Sequence, residues 1–170
     1  MQRDDATSTP VPGLSWQELS EARPDLTDAG RQLFYQVGVG LAFMSTVRPD
    51  GGPRLHPICP VIASTGLYAF IIPSPKLNDL RRDARYALHS FPTDDNEDAF
   101  YITGRAVEIH EHELRTTLTR QFRDERSTME FSDDHLNPQA LIEFFVDRCL
   151  VTRTDGFGDA LPRHTIWHAG

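Results

Sequence analysis

A serine and a lysine stand two positions apart where an apolar run of the sequence gives way to a helical pattern. The run 67–72 ends at a proline, Ser74 follows, and Pro75 suits a first helical position because its missing N–H is not needed there. Free backbone N–H groups and the positive end of the helix dipole meet at such a start, and Lys76 adds a full charge. We expect the Ser74 hydroxyl to accept a hydrogen bond from an N–H of the first turn. The stretch predicts a pocket for an anion such as phosphate, although a surface helix with an ordinary cap and a solvated lysine has the same pattern.

The helix that begins at Pro75 has one apolar side. Leu77 and Leu80 lie three positions apart, which predicts that they form the buried face. The polar residues of the helix are expected to stay in water, and these are Asp79, Arg81, Arg82 and Asp83. The helix is therefore predicted to be amphipathic, with Lys76 at its open end.

Other groups of reactive residue types are weaker candidates. His110 and His112 would share a face of a strand, but two histidines without a third ligand are more typical of a solvated strand end than of a metal site. The acidic stretch 133–135 is expected to be a solvated loop. The sequence contains no nucleophile elbow, zinc-protease motif or phosphate loop, so it predicts no catalytic residue and no metal ligand.

The composition is that of a globular chain with an acidic surface. The 170 residues suffice for one domain with its own core, and 39% of them are hydrophobic. A net charge of −8 argues against nucleic acid and against an anionic membrane surface as partners, because both attract basic faces. Cys59 and Cys149 are the only cysteines and lie far apart, and we see neither a signal peptide nor an apolar run that could cross a bilayer. A cytoplasmic protein is therefore expected.

Apolar runs separated by turn residues predict a chain made mostly of strands. Six or seven strands are expected, at residues 41–47, 54–63, 67–72, 85–91, 99–109, 141–152 and 163–168. Helices are expected after Ser15, at 28–36 with Val37 turned inward, after Pro75, and at 113–126. Residues 1–13 are expected to be disordered, and 14–170 to form one domain. The sequence predicts a mainly β (α+β) fold, an antiparallel split barrel of six to seven strands with accessory helices.

Two of the predicted strands have unusual features. Pro57 and Pro60 cannot donate to a strand ladder, so the strand at 54–63 is expected to lie at a sheet edge or to contain bulges. In the strand at 141–152, an apolar face is expected to exceed what one barrel can cover, and its residues are Phe144, Val146 and Leu150. Such a face favours a homodimer.

In their order along the chain, these segments resemble the flavin-binding split barrel of the pyridoxamine 5'-phosphate oxidase-like family. The resemblance is carried by the hairpin 45–53, the turn and helix of 74–85, and the strand residues 86–91 and 101–106. It implies an FMN-binding oxidoreductase that acts on a small molecule, with the cofactor in a cleft between the two barrels of a homodimer. The chemistry of such a site belongs to the cofactor, which agrees with the lack of a catalytic dyad in the sequence.

The resemblance also implies which residues would hold FMN. The flavin phosphate would meet Ser74 and Lys76 at the start of the central helix, and Arg54 and His56 on the second strand. The flavin ring would lie along the second and third strands, with backbone groups bonding its edge, beside Pro57, Ile58, Phe70 and Ile71. Pro75 stands where the family has an arginine, so the phosphate site has one charge less.

Two other kinds of ligand remain open. Split-barrel reductases that use the deazaflavin F420 share this order of strands and helix, and the missing arginine at Pro75 is compatible with them. A binding protein without turnover is the third interpretation. It would hold flavin or haem, and the seven histidines of the chain make haem worth testing.

Overall fold

The computed structural model describes residues 13–128 and 133–170, so the segment predicted to be disordered lies outside these ranges except for Gly13. The elements of the described ranges are α1 Trp16–Ala22, α2 Pro24–Phe34, β1 Ala42–Val47, β2 Pro53–Ile58, β3 Pro60–Ile62, β4 Leu67–Ile71, α3 Pro75–Arg82, β5 Arg85–Ser90, β6 Ala99–Ile109, α4 His112–Glu125, α5 Asp133–Leu136, β7 Ala140–Arg153 and β8 Arg163–His168. Strands thus dominate the chain, as the sequence predicts.

The strands pair antiparallel in one sheet that closes on itself. The order across the sheet is β2-β1-β5-β6-β7-β4-β3, and β8 pairs with the part of β7 that β4 leaves free. The two ends of this order, β2 and β3, are consecutive in the chain and separated only by Cys59. The segment 53–62 therefore joins both ends of the sheet and closes it into a barrel. The predicted antiparallel barrel with accessory helices is confirmed.

The two prolines have the effect that the sequence predicts. Pro57 lies in β2 and Pro60 opens β3, and both strands are at the ends of the sheet order. An end strand has one unpaired edge, where a proline removes no ladder hydrogen bond. The single strand predicted at 54–63 is in fact two strands, which gives eight in the sheet of the described chain.

A β-bulge in β7 divides the apolar face that was predicted for that strand between its two sides. The register between β6 and β7 shifts beside Gly104, where Asp147 is the extra residue of β7. Before the bulge, Phe144 and Val146 point into the barrel and are 0% exposed. Leu150, after the bulge, lies half-buried on the outer face. Because side chains alternate along a strand, one extra residue reverses the faces that follow, and the prediction of a single outward face is wrong.

The barrel interior and the first two helices share one hydrophobic core. Phe100 of β6 meets Trp16 and Phe34 edge to face, with ring centroids 5.9 and 5.1 Å apart. The predicted capping box is present at the start of α1, where Ser15 Oγ accepts from the Glu18 amide at 3.2 Å. Both helices thereby turn their apolar faces onto the same end of the barrel.

The second helix differs from its prediction at both ends. It begins at Pro24, which is favoured at a first helical position, and it ends at Phe34. Gly38 then adopts a φ of +82°, which a glycine tolerates without strain. Val37 consequently lies outside the helix and is 68% exposed, so the prediction that it turns inward is wrong.

Polar contacts fasten the end of α4 to the edge of the barrel. The Tyr35 hydroxyl accepts from the Ile62 amide at 3.0 Å and donates to the Glu125 carboxylate at 3.2 Å. Burial raises the pKa of Tyr35 to about 12, so the phenol remains a donor. The buried Arg126 donates to the Gly40 carbonyl at 3.1 Å. These bonds connect α4 to β3 and to the segment that precedes β1.

The connection between α4 and β7 is only partly within the described ranges, because residues 129–132 lie outside them. Residues 133–136 form the short helix α5, where a solvated loop was expected. None of the helices in the described chain has the length and apolar character that a bilayer crossing requires.

Candidate functional site

The start of α3 has backbone donors without internal acceptors. Ser74 is extended, and its hydroxyl donates to the Ile72 carbonyl at 2.7 Å instead of accepting from the first turn. Ser74 is the N-cap residue of α3 as predicted, but the prediction that its hydroxyl accepts from the first turn is wrong. The Asn78 amide bonds to the Ser74 carbonyl at 3.1 Å, but the N–H groups of Lys76 and Leu77 meet no acceptor in the described chain. Such a helix start attracts an anion.

Lys76 is a half-buried cation with no acidic partner among the described residues. Burial lowers the pKa of its ammonium, and only the nearby Cys59 acts in the opposite direction. Within residues 13–128 and 133–170, no carboxylate or carbonyl holds this ammonium by a hydrogen bond or ion pair. Taking a cation out of water without pairing it is unfavourable, and a bound anion would restore the balance.

Arg54 of β2 contacts the same helix one turn further on, at Asp79. Its Nε donates to Asp79 Oδ2 at 2.7 Å, and the Thr46 hydroxyl donates to the same oxygen at 3.0 Å. A terminal nitrogen of Arg82 lies 3.3 Å from the other oxygen. The Asp79 side chain is only 4% exposed, so the prediction that it stays in water is wrong. Burial alone would raise the pKa of Asp79, but the hydrogen bonds from Arg54 and Thr46 and the two guanidinium charges hold it below its usual range.

His56 faces the same side of β2 as Arg54. Met44, directly across from His56 on β1, is buried in the barrel, so both side chains point inward. β2 begins where Arg54 touches the second turn of α3 and ends next to Cys59, which lies near Lys76. The half-buried His56 lies two residues after Arg54 on this face of β2, and its ring nitrogens meet no partner in the described chain. Of the four residues predicted for a phosphate, Ser74 and Lys76 lie at the start of α3 and Arg54 contacts this helix at Asp79, while the contact of His56 with the same ligand stays a prediction.

The side chains predicted to lie beside a flavin ring are in different surroundings. Pro57 lies on the outer, exposed face of β2, opposite to His56. Ile58 and Ile71 are buried in the barrel core. Phe70 belongs to a second apolar cluster under α4. A ring at this wall would therefore meet mainly backbone groups, and the predicted contact stays a prediction.

One edge of β4 offers such backbone groups. The pairing of β3 with β4 extends only from Leu67 to Ala69, whereas β4 continues to Ile71. The edge of β4 at Phe70 and Ile71 is consequently free of β3, and it leads directly to Ser74 and the start of α3. Hydrogen bonds from this free edge to a flavin ring stay a prediction.

The remaining candidates from the sequence form no site within the described ranges. His110 and His112 are exposed, and no three His, Cys, Asp or Glu side chains among the described residues are close enough to hold a metal ion. Asp79 is the functional candidate that the sequence analysis missed. In the sequence it stands among the polar residues of the helix, so it is expected in water. Its burial is visible only in the structure, where Arg54 of β2 bonds to it.

The outer face of the sheet has a row of apolar and aromatic side chains. Of the apolar face predicted for the strand at 141–152, only Leu150 belongs to this row. The row crosses five strands at one level and consists of Phe43, His89, Tyr101, Leu150 and Ile166. We call these five residues the outer row. Their side chains are half-buried or exposed, and Ile166 is 52% exposed. Beside the outer row lies a groove of about 380 Å³, whose lining includes Ser45, Thr103 and Asp147.

Comparisons with known proteins find similarity in structure and none in sequence. No protein-family model matches the chain, and no curated protein matches it. A protein of the pyridoxinephosphate oxidase family from Clostridium acetobutylicum, related to general stress protein 26 of B. subtilis, superposes with a TM-score of 0.54 at 10% identity, over 89% of this chain and 95% of that one. The two chains therefore share an architecture over nearly their whole lengths.

Two further solved structures extend the comparison. ChuZ of Campylobacter jejuni superposes with a TM-score of 0.65 at 12% identity, over 89% of this chain and 63% of that one. A heme binding protein from Mycobacterium smegmatis has a TM-score of 0.58 at 13% identity, over 82% of this chain and 57% of that one. Identities this low establish the fold alone. The chain has the split-barrel fold that pyridoxamine 5'-phosphate oxidase-type proteins share with heme-binding proteins.

Proposed function

We propose that the chain is an FMN-binding oxidoreductase of the split-barrel type, with the flavin phosphate bound at the start of α3. The observation that carries the proposal is the half-buried ammonium of Lys76, which has no acidic partner in the described chain and stands beside two backbone N–H groups without acceptors. A phosphate would accept from all three donors. Arg54 brings a guanidinium to the same helix, and the ring nitrogens of His56 are further candidates for the phosphate.

The residues around α3 fit a flavin phosphate in their chemistry. They supply donors and cations but no nucleophile with a base, so they bind and orient and do not react. Bound FMN would supply the electron transfer between a donor and a small-molecule substrate. The chain itself would anchor the phosphate through Lys76 and Arg54, and the free edge of β4 would bond the ring through its backbone.

A homodimer is part of this proposal. The outer row leaves apolar surface on a flat sheet face, and a second copy would remove it from water. The same face carries exposed arginines at one end of the strands, at Arg85, Arg105 and Arg148. The acidic loop 94–98 lies at the other end, so a two-fold axis through the outer row would bring opposite charges together.

Haem is the second candidate ligand, because of His56. Its ring nitrogens meet no partner in the described chain, and an imidazole on the same strand face as Arg54 suits an iron porphyrin, whose carboxylates attract a cation. The heme-binding protein of M. smegmatis with the same fold supports this alternative. We favour FMN, because the helix start and Lys76 together match a phosphate.

The test is a titration of the purified protein with FMN and with riboflavin, which lacks the phosphate, after an absorption spectrum has shown whether flavin, F420 or haem is bound. Charge-assisted hydrogen bonds contribute on the order of 1.5–3 kcal/mol, so Lys76→Ala should weaken FMN binding roughly ten- to hundredfold. Riboflavin should bind both proteins alike.

The matched control is Arg120→Ala, which removes an exposed cation from α4 and should leave FMN binding unchanged. An FMN affinity that survives Lys76→Ala would show that the phosphate lies elsewhere. Haem or F420 bands in the spectrum of the purified protein would show that the ligand is haem or F420 and not FMN.

A further inference from the structure

Asp79 presents an unexpected feature of the candidate site, because it is a carboxylate in a place that should attract an anion. Its side chain is 4% exposed and lies one helical turn after Lys76, on the same side of α3. If attraction of a phosphate were the only requirement, a buried negative charge here would weaken the site. The hydrogen bonds that Asp79 makes to Arg54 and Thr46 indicate a different role.

Asp79 engages only one of the three guanidinium nitrogens of Arg54. The Nε donates to Asp79 Oδ2 at 2.7 Å, whereas the two terminal nitrogens of Arg54 meet no acceptor in the described chain. The Arg54 side chain is 27% exposed, so these nitrogens remain accessible. Terminal guanidinium nitrogens are the ones that bind a phosphate in a planar fork.

The carboxylate is itself held in place from two further directions. Thr46 of β1 donates to Oδ2 at 3.0 Å, and Arg82 lies 3.3 Å from Oδ1. Arg82 also donates to the Val47 carbonyl, which ties this end of α3 to β1. Asp79 therefore has a fixed position relative to both the strand and the helix, and it transmits that position to Arg54.

We propose that Asp79 is a positioning residue that holds Arg54 by its Nε and so presents the free terminal nitrogens to the phosphate of the ligand. This inference rests on the proposed function, since it takes the start of α3 as the phosphate site. Positioning reduces the entropy that a long, flexible arginine loses on binding. It also makes the fork of Arg54 specific for a planar arrangement of oxygens.

The sign of one substitution separates positioning from a simple adjustment of charge. Asp79→Asn keeps the shape and one acceptor but removes the negative charge. If Asp79 only tempers the positive charge of the site, the substitution strengthens phosphate binding. If Asp79 positions Arg54, the substitution weakens the binding of FMN roughly tenfold or more and leaves the binding of riboflavin unchanged. The control is Asp83→Asn, which neutralises a carboxylate of the same helix that pairs with Arg85 outside the site.

A second variant covers the case in which Asp79→Asn does not fold. Arg54→Lys retains the charge next to Asp79 but replaces the guanidinium fork by a single ammonium. The preference for FMN over riboflavin should therefore fall to a similar extent. Inorganic phosphate, measured by the rise of the melting temperature that it causes, should stabilise the native protein and Asp83→Asn more than either variant.

The outcomes distinguish the two proposals. Equal binding of FMN and riboflavin by the native protein, with no stabilisation by inorganic phosphate, would overturn the phosphate site and the positioning role together. A native preference for FMN that persists or grows in Asp79→Asn, or persists in Arg54→Lys, would overturn the positioning role alone. Stabilisation by phosphate that is lost in both variants would support positioning even if the complete ligand is not FMN.

Discussion

At the scale of single residues, the candidate site is defined by which charges have partners and which do not. Asp83 illustrates the paired case, since hydrogen bonds from Arg85 lower the pKa of that carboxyl to about 2. Lys76 illustrates the unpaired case, because burial lowers the pKa of its ammonium and no carboxylate of the described chain offsets this. An anionic ligand would therefore change the protonation equilibrium of Lys76, which makes binding sensitive to pH.

We expect FMN affinity to fall at alkaline pH. Bound phosphate raises the pKa of Lys76 above its value in the free protein, so affinity is retained between neutral pH and the free value and falls as the pH rises from the free toward the bound value. The free value lies below the ordinary lysine pKa of about 10.4, and the decline can reach roughly tenfold per pH unit. Fluorescence titrations between neutral and alkaline pH measure it.

Riboflavin is the reference ligand for this experiment, because any ionisation of the ring is common to both flavins. Lys76→Arg should bind FMN without the alkaline decline, since a guanidinium does not lose its proton in this range. Parallel pH profiles for FMN and riboflavin in the native protein would contradict the assignment of Lys76 to the phosphate.

The residues of the site differ in how far the sequence reveals them. Lys76 and Ser74 are predictable because a strand end, a proline and a helix follow one another within a few positions. Asp79 is not, because a carboxylate among the charged residues of this helix is expected in water, and its burial depends on Arg54 and Thr46 from two strands. Ser74 is the N-cap residue, but its hydroxyl bonds to the Ile72 carbonyl and not to the first turn, a choice that no pattern of residue types specifies.

At the scale of elements, α4 is a helix whose end is attached by polar groups. Tyr35 is at the centre, since it bonds to the Ile62 amide of β3 and to Glu125 at the end of α4. Gln121 adds a bond from α4 to the Ile62 carbonyl at 2.9 Å. The short strand β3 is thereby held from both its N–H and its C=O side at one residue.

Tyr35→Phe should lower the free energy of unfolding by about 1–3 kcal/mol, because it leaves the Ile62 amide without its acceptor and removes one of the donors to Glu125. Urea unfolding followed by circular dichroism measures the change. Tyr101→Phe is the matched control, since the Tyr101 hydroxyl meets no hydrogen-bond partner in the described chain. Equal stabilities of the two variants would show that the Tyr35 bonds contribute nothing net.

The positions of the strands could be predicted well, and their faces less well. Turn residues around 48–53 and 64–66 delimit strands by local chemistry, and Pro57 and Pro60 reveal the sheet edge. The bulge at Asp147 could not be predicted, because it depends on the pairing of β7 with β6. It alone moved Leu150 to the outer face.

At the scale of the whole molecule, the outer row is an apolar and aromatic surface that crosses five strands of the barrel. Arginines and the acidic loop 94–98 lie on opposite sides of it along the strands. The proposed homodimer would use both the apolar contact and the charge pattern. Association should then weaken as salt screens the charges.

Light scattering at micromolar concentration should give the native chain twice its mass of 19.2 kDa. Ile166→Glu places a charge in the outer row and should raise the dissociation constant roughly tenfold or more. Val37→Glu changes a residue that is equally apolar and 68% exposed but lies outside the row, and it should remain dimeric. A monomeric native protein, or a dimer indifferent to Ile166→Glu, would contradict the proposed face.

The bulge in β7 sets a constraint on any descendant of this sequence. A side chain at Gly104 would collide with the Phe145 carbonyl, so no other residue fits opposite the bulge unless the backbone moves. The bulge in turn decides which side chains of β7 face outward, at Arg148 and Leu150 among others. Substitutions can therefore change the residues of the outer row one at a time. The alignment of the row across β6 and β7 depends on the bulge, and the bulge requires a glycine at position 104.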